Sequence, residues 1–561
     1  MLKNRSKMTI VLFFLVLIAI TITFGGWMAY KTDTASPDYY FSVGKNMSVF
    51  GKVYEEITKR YVEVIDPEEF MRAGINGMLN TLDPYTLYIE KDGNQELQIM
   101  TKGKYGGVGM RISKRDDWAT VIEPPFEGTP SARAGIREGD KIIAVDSMST
   151  KDLTITETAH RLRGKPGTEV FVKIRRFGEK DIMEFRLIRA EIKVEEISYA
   201  GFVKDKIGYI RLHQFSRDVG DQVNDAIADL KKEGMESLIL DLRGNPGGLL
   251  ESAVAVADNF LPKGQLVVSR KGRTEDSNEE YRANKAAIWP DGPVVVLVDT
   301  FSASASEIVA GAIQDLDRGL VIGSPTFGKG LVQQVVPISS ESALKITTSK
   351  YYIPSGRLIQ KSDVFTGSKV LMTNSKVDWD STKTYKTSSG REVKGNGGIT
   401  PDIRITREKI PMIVRQMIMK SMFFNFSIEY AANHTHSRDD FEIDDAIIAE
   451  YKAFLEKKNF KYRTETEEGI RDLEKVLDDA GYKDRVNSAL SELKRVADEE
   501  KEKDFDESID FIKWYLKEEI SAKFWGTSAK TKASFERTPE IQKALEILSN
   551  TETYYSLLHN K

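Results

Sequence analysis

The sequence predicts a multidomain α/β protein with helical ends, and three observations predict it. Strand-like and helix-like segments alternate from Ile207 to Ile338, short strands separated by glycine turns fill Gly106 to Arg189, and charged, helix-rich sequence follows Ile405. Alternation of the first kind builds a largely parallel sheet covered by helices. The 561 residues suit three or four domains, and 40% hydrophobic content is enough for real cores. A net charge of −4 without a concentrated basic face argues against a nucleic-acid partner. The chain has no cysteine, which excludes disulfides, thiol catalysis and Cys-ligated zinc.

Met8 to Tyr30 is a charge-free apolar run of 23 residues. As a helix it would reach roughly 34 Å, enough to span a hydrocarbon core of about 30 Å. Lys3, Arg5 and Lys7 precede it, and Trp27 and Tyr30 mark its far end. The positive-inside rule then predicts a single-pass anchor, with the N-terminus in the cytoplasm and everything after Lys31 outside. The run exceeds an ordinary signal-peptide core, and no A-x-A site follows it. A second apolar stretch, Ile410 to Phe426, is interrupted by Arg415 and Lys420, so an amphipathic helix packed on the protein is expected there.

After the anchor (residues 1–37), residues 38–101 read as a helical region. Val49 to Val62 repeats apolar residues at helical intervals, and Asp66-Pro67 opens a second helix as N-cap and N1. Residues 102–191 form the β-rich segment. Its parts are a glycine-bearing loop at Gly106 to Ile112, strands at Trp118 to Glu123 and before Asp146, a short helix at Thr156 to Leu162, and a turn and strand from Gly164 to Arg175. This order resembles a PDZ domain. The resemblance implies β-augmentation, with the backbone amides of Val108, Gly109 and Met110 holding a peptide's terminal carboxylate. Residues 192–405 carry the α/β alternation, with a polar Gly/Ser-rich excursion between Ser362 and Asn396, and residues 406–561 read as a separate helical region.

The chemistry concentrates in two motifs, Phe301-Ser-Ala-Ser-Ala-Ser-Glu-Ile308 and Thr326-Phe-Gly-Lys-Gly330. The first follows the apolar strand Val294 to Asp299 and enters a helix. Ser304 thereby sits beside free backbone N–H groups at the positive end of a helix dipole, where an oxyanion is stabilised. A hydroxyl becomes a nucleophile only when a base takes its proton, and a desolvated lysine, here Lys329, can serve. The same residues allow a plainer reading, since Ser304-x-x-Glu307 is also a helix capping box. Histidine offers little: only His213 lies in the α/β core, on a strand, and His434-x-His436 alone makes no metal site.

Together with Leu242-Arg-Gly-Asn-Pro-Gly-Gly-Leu249, Asp83-Pro84-Tyr85, Tyr352-Ile-Pro-Ser-Gly-Arg357 and Gly398-Ile-Thr-Pro-Asp402, these motifs resemble the C-terminal processing (tail-specific) peptidases. The resemblance covers about residues 45 to 405. It implies a Clp-protease/crotonase-like α/β core, Ser304 as nucleophile, Lys329 as general base, and Gln333 holding the lysine amine. It also implies an oxyanion hole from the backbone N–H groups of Gly248 and Ala305, no cofactor or metal, and acyl-enzyme cleavage of proteins with exposed C-termini. A bacterial inner-membrane anchor with the catalytic part in the periplasm, and homo-oligomers built through the terminal regions, are compatible with it. A membrane-tethered PDZ scaffold with an idle Ser/Lys pair is the alternative from another class, and a lyase or hydratase on the crotonase-like core is a third.

Overall fold

The computed structural model describes residues 37–90, 103–339, 342–361, 383–395, 397–437 and 441–559. The apolar run from Met8 to Tyr30 lies outside the described residues, as does most of the polar excursion. Among the described residues no helix is long and apolar enough to cross a membrane.

The centre is a six-stranded sheet in the order Ile197–Lys204, Ile207–Leu212, Ser237–Asp241, Val294–Val298, Leu320–Gly323, Ile403–Arg404. The first pair is antiparallel and every other pair parallel. Its inner strands are apolar on both faces, as a sheet covered on both sides requires. Leu238, Leu240, Val294, Val296 and Val298 face the helices Val219–Lys232, Leu250–Ala257 and Ala305–Asp315. The alternate residues Ile239, Val295 and Leu297 face Phe535, Ile541, Ala544, Ile547 and Tyr554, near the end of the chain. The expected separate C-terminal region is therefore separate only in part. The helices from Met412 to Trp525 build their own aromatic core around Phe423, Phe426, Tyr451 and Leu516. Helices Pro539–Leu548 and Thr551–His559 complete the sheet sandwich instead.

Two further expectations are corrected. The N-terminal region is not wholly helical. Helices Pro37–Arg60 and Pro67–Leu79 form as expected, the second capped by Asp66, whose side chain accepts from the N–H groups of Glu68 and Glu69. The chain then makes a strand, Leu87–Ile89, that pairs with Ala343–Tyr352 of the catalytic region. Three residues are too few to show a period-2 pattern, so only the partner strand reveals it. The stretch from Ile410 to Phe426 is two helices, Met412–Met419 and Met422–Asn433, broken where buried Ser421 takes φ 57°. No proline or glycine announces that break.

The β-rich segment folds as a sheet of Ile112–Arg115, Trp118–Val121, Lys141–Val145, Glu169–Arg175 and Met183–Ile188, with helix Ile155–Leu162 beside it. Its entrance and exit are joined by antiparallel pairing of Lys104–Gly107 with Ala190–Lys193. This is the geometry of a domain inserted on a narrow two-stranded stem.

Candidate active site

Ser304 occupies the turn between strand Val294–Val298 and helix Ala305–Asp315 at φ 55° and ψ −112°. A non-glycine residue held there carries roughly 1–3 kcal/mol of strain, typical of positions where function dictates backbone shape. Three serines compete in this turn, and their hydrogen bonds separate them. Ser302 Oγ donates to the Leu242 carbonyl at 2.8 Å, and Ser306 Oγ to the Asn245 carbonyl at 2.9 Å. Both are buried fasteners. Ser304, half-buried, makes no capping hydrogen bond with its side chain. The Glu307 carboxylate accepts from the Ser304 N–H at 2.8 Å, as the expected capping box requires, and the Glu307 N–H also reaches the Ser304 carbonyl.

Glu307 does more than cap. It is fully buried, and its two oxygens also accept from the N–H of Lys329 at 2.9 Å, the N–H of Gly328 at 2.8 Å and Thr326 Oγ1 at 2.5 Å. Burial pushes its carboxyl up, against the pull of these donors. Tyr351 Oη donates to the Ser304 carbonyl at 3.1 Å and to the Lys329 carbonyl. The Phe327 N–H adds a bond to the Ser302 carbonyl at 3.0 Å. The serine turn and the lysine loop are thus one rigid unit, although they come from opposite ends of a helix and strand.

The Lys329 amine lies over the Tyr85 ring, 4.7 Å from its centroid. Burial, and next the neighbouring Lys345 ammonium, lower its pKa to about 8, with Glu307 and Asp83 opposing. Among the described residues no hydrogen bond joins this amine to Ser304 Oγ. Gln333 lies in the same quarter, but its amide donates to Thr347 Oγ1 at 3.3 Å. Thr347 in turn bonds Asp83, whose carboxylate also holds the N–H of Tyr85 at 2.8 Å and the Thr86 hydroxyl at 2.9 Å. The polar chain from Gln333 therefore leads to the segment that carries Tyr85.

The oxyanion candidates lie side by side. The Gly247 φ is 96°, and a Cβ there would stand 2.6 Å from the Ala303 carbonyl oxygen and 2.8 Å from the Ala305 nitrogen. At Gly248 a Cβ would stand 2.1 Å from the Phe215 oxygen, so both positions require glycine. The loop is fixed by buried Asn245, whose Oδ1 accepts the Gly247 N–H at 2.9 Å and whose carbonyl accepts the Ala303 N–H at 3.0 Å. Among the described residues the N–H groups of Gly248 and Ala305 have no acceptor. That leaves two donors beside Ser304 for a developing oxyanion.

His213 is held neutral, its pKa lowered to about 4 chiefly by burial. It lines a cleft of about 400 Å³ with Arg111, Arg211 and Glu518, and no hydrogen bond joins it to Ser304. In the inserted domain the Val108 and Gly109 carbonyls accept from the N–H groups of Ser131 and Phe126, while the N–H groups of Val108, Gly109 and Met110 have no acceptor among the described residues. Strand Ile112–Arg115 pairs on one side only, leaving an open edge for a peptide next to helix Ile155–Leu162.

The residue that reading the sequence alone undervalued is Glu307. Its signal was present in the Ser-x-x-Glu spacing, but that spacing is satisfied by an ordinary helix start. Asp83 stood out only as part of the Asp83-Pro84-Tyr85 motif and Tyr351 not at all, because their partners lie far away in sequence.

Comparison with known proteins gives this arrangement its class, a serine-type peptidase with a PDZ domain. Residues 206–367 match Peptidase family S41, 121–176 a PDZ domain, 28–93 the activating protease CtpB N-terminal domain, and 413–548 a probable PDZ-protease C-terminal helical domain. The carboxy-terminal-processing protease of Bartonella bacilliformis is 37% identical over 320 residues, which are 56% of this chain and 73% of that protein. Carboxy-terminal processing protease CtpB of Bacillus subtilis is 35% identical over 331 residues, 57% of this chain and 67% of that protein. Among solved structures, the photosystem II D1 C-terminal processing protease is 28% identical, covering 64% of this chain and 87% of that one, with a TM-score of 0.35. The chain belongs to the carboxy-terminal-processing proteases of peptidase family S41.

Proposed function

We propose that this protein is a serine endopeptidase that recognises the C-termini of exported proteins through its PDZ domain and cleaves them through an acyl-enzyme. Ser304 Oγ attacks the peptide carbonyl, the Gly248 and Ala305 N–H groups receive the oxyanion, and Lys329 takes the hydroxyl proton. The lysine returns that proton to the leaving amine, and water then releases the acyl group. The observation that carries this reading is the shared tether of Ser304 and Lys329 to the Glu307 carboxylate, together with a lysine pKa lowered to about 8.

The amine rests over the Tyr85 ring, and proton transfer requires it to come within hydrogen-bond reach of the serine hydroxyl. The apolar run from Met8 to Tyr30, preceded by Lys3, Arg5 and Lys7, supports an anchor in a bacterial cytoplasmic membrane with the peptidase outside. Incubating an unstructured protein with the wild type, Ser304→Ala and Lys329→Ala tests the reading. Fragments from the wild type alone are expected. Equal persistence of the substrate in all three would leave the tethered-scaffold reading instead.

A further inference from the structure

Arg243 immediately precedes the loop that carries Gly247 and Gly248. Its guanidinium is almost wholly buried and binds Asp241 through two parallel hydrogen bonds, Nε to Oδ1 at 2.9 Å and Nη2 to Oδ2 at 2.6 Å. The Asp241 side chain is fully buried and also accepts from the Arg243 N–H at 3.0 Å and from the Tyr209 hydroxyl. Burial alone would raise the Asp241 carboxyl, but the Arg243 guanidinium overrides it and holds the carboxyl at about 2.

The remaining guanidinium nitrogen, Nη1, is taken at 3.0 Å by Glu540 Oε2, from a residue 297 positions away in the first turn of helix Pro539–Leu548. The Glu540 side chain is only 2% exposed, and its other oxygen accepts from Arg407 Nε at 2.6 Å. Two buried carboxylates and two guanidiniums thus alternate in a neutral chain from the helical end of the protein to the base of the oxyanion loop. Removing one member of a buried pair strands its partner, which moves to recover hydrogen bonds.

We infer that Glu540 is a positioning residue for the peptidase reaction: through Arg243 it fixes the backbone of the loop that presents the Gly248 N–H to the oxyanion. The role of the helical C-terminal region then includes completing the active site, beyond covering the sheet. The open edge available to a peptide lies in the PDZ domain, and no residue of this clamp belongs to it. Loosening the clamp should therefore lower turnover while leaving KM unchanged. A displacement of about 1 Å at a catalytic donor lowers rate by about 10²-fold.

The inference rests on the Ser304 peptidase reading, and the test separates the two. Wild type, Ser304→Ala, Glu540→Gln, Glu540→Asp and Arg243→Lys are compared as full chains on a fluorescein-labelled unstructured protein, with kcat, KM and thermal midpoint measured for each. For a folded Glu540→Gln we expect kcat lower by about 10–100-fold, KM within about twofold, and partial recovery in Glu540→Asp, which keeps the charge. If Glu540→Gln does not melt cooperatively, Arg243→Lys carries the test, with the same loss of kcat expected from a broken fork. Folded Glu540→Gln or Arg243→Lys with kcat near wild type would overturn the inference alone. So would a loss of kcat no larger than the loss of folded protein. A wild type no more active than Ser304→Ala would overturn the peptidase reading and the inference with it.

Discussion

The backbone N–H groups of Ser304 and Lys329 donate to the same atom, Glu307 Oε2, at 2.8 and 2.9 Å. One carboxylate oxygen therefore sets the spacing of the serine turn and the lysine loop, and the hydroxyl and amine can move only as side chains on a fixed frame.

Glu307→Gln preserves size but replaces one acceptor oxygen with an amide NH2, so two of the four donors lose their partner. Each buried donor left unpaired costs about 1–3 kcal/mol. Chemical denaturation should show a loss of about that size, and turnover should fall by at least about 10²-fold if Ser304 and Lys329 are the proposed nucleophile and base, since both lose their common tether. Unaltered turnover in a folded variant would remove Glu307 from the machinery.

A lysine serving as the proposed base works only as a free amine. With its pKa near 8, activity should rise about tenfold per pH unit below that value and level off above it. Lys345→Met removes a like charge that disfavours the protonated amine. The Lys329 pKa then rises, and the limb of the kcat/KM profile moves to higher pH. A profile that stays in place would show that the two ammonium groups do not communicate.

Gly247→Ala would set a methyl 2.6 Å from the Ala303 carbonyl oxygen at a backbone φ of 96°. A stability loss of about 1–3 kcal/mol is expected from the strained backbone. Turnover should fall by about 10²–10³-fold as the Ala305 amide is pushed aside. Calorimetry and steady-state kinetics on the purified variant check both.

In the PDZ domain, a Cβ at Gly109 would stand 2.3 Å from Thr129 Cβ. Gly109→Ala should therefore distort the three open amides and weaken binding of a peptide with a free C-terminus by about tenfold or more. Amidating the same peptide should weaken it similarly in the wild type and hardly at all in the variant. Fluorescence anisotropy with the two peptides distinguishes these outcomes.

Much of the fold was legible because its signals are local. The run Val294 to Val298 is apolar throughout, as a strand buried on both faces must be, and Asp66-Pro67 marks a helix start by itself. Ser304 and Lys329 were singled out by the motifs that resemble the C-terminal processing peptidases, because residues 301–308 alone read equally as a helix start. What escaped depends on distant partners. Leu87–Ile89 is a strand only because Ala343–Lys345 lies beside it, and Glu307 looks like a cap until the lysine loop arrives. The expected Gln333 contact illustrates the same limit, since its amide is directed to Thr347 by a hydroxyl from another strand.

The packing of Phe535, Ile541 and Tyr554 on the central sheet has a consequence for biogenesis. The Tyr554 hydroxyl accepts from the Val294 N–H, bridging 260 residues. Closing so long a loop is slow, and until it closes Ile239, Val295 and Leu297 have nothing over them. A chain that stops after the serine and lysine motifs therefore still lacks the cover for one whole face of its central sheet.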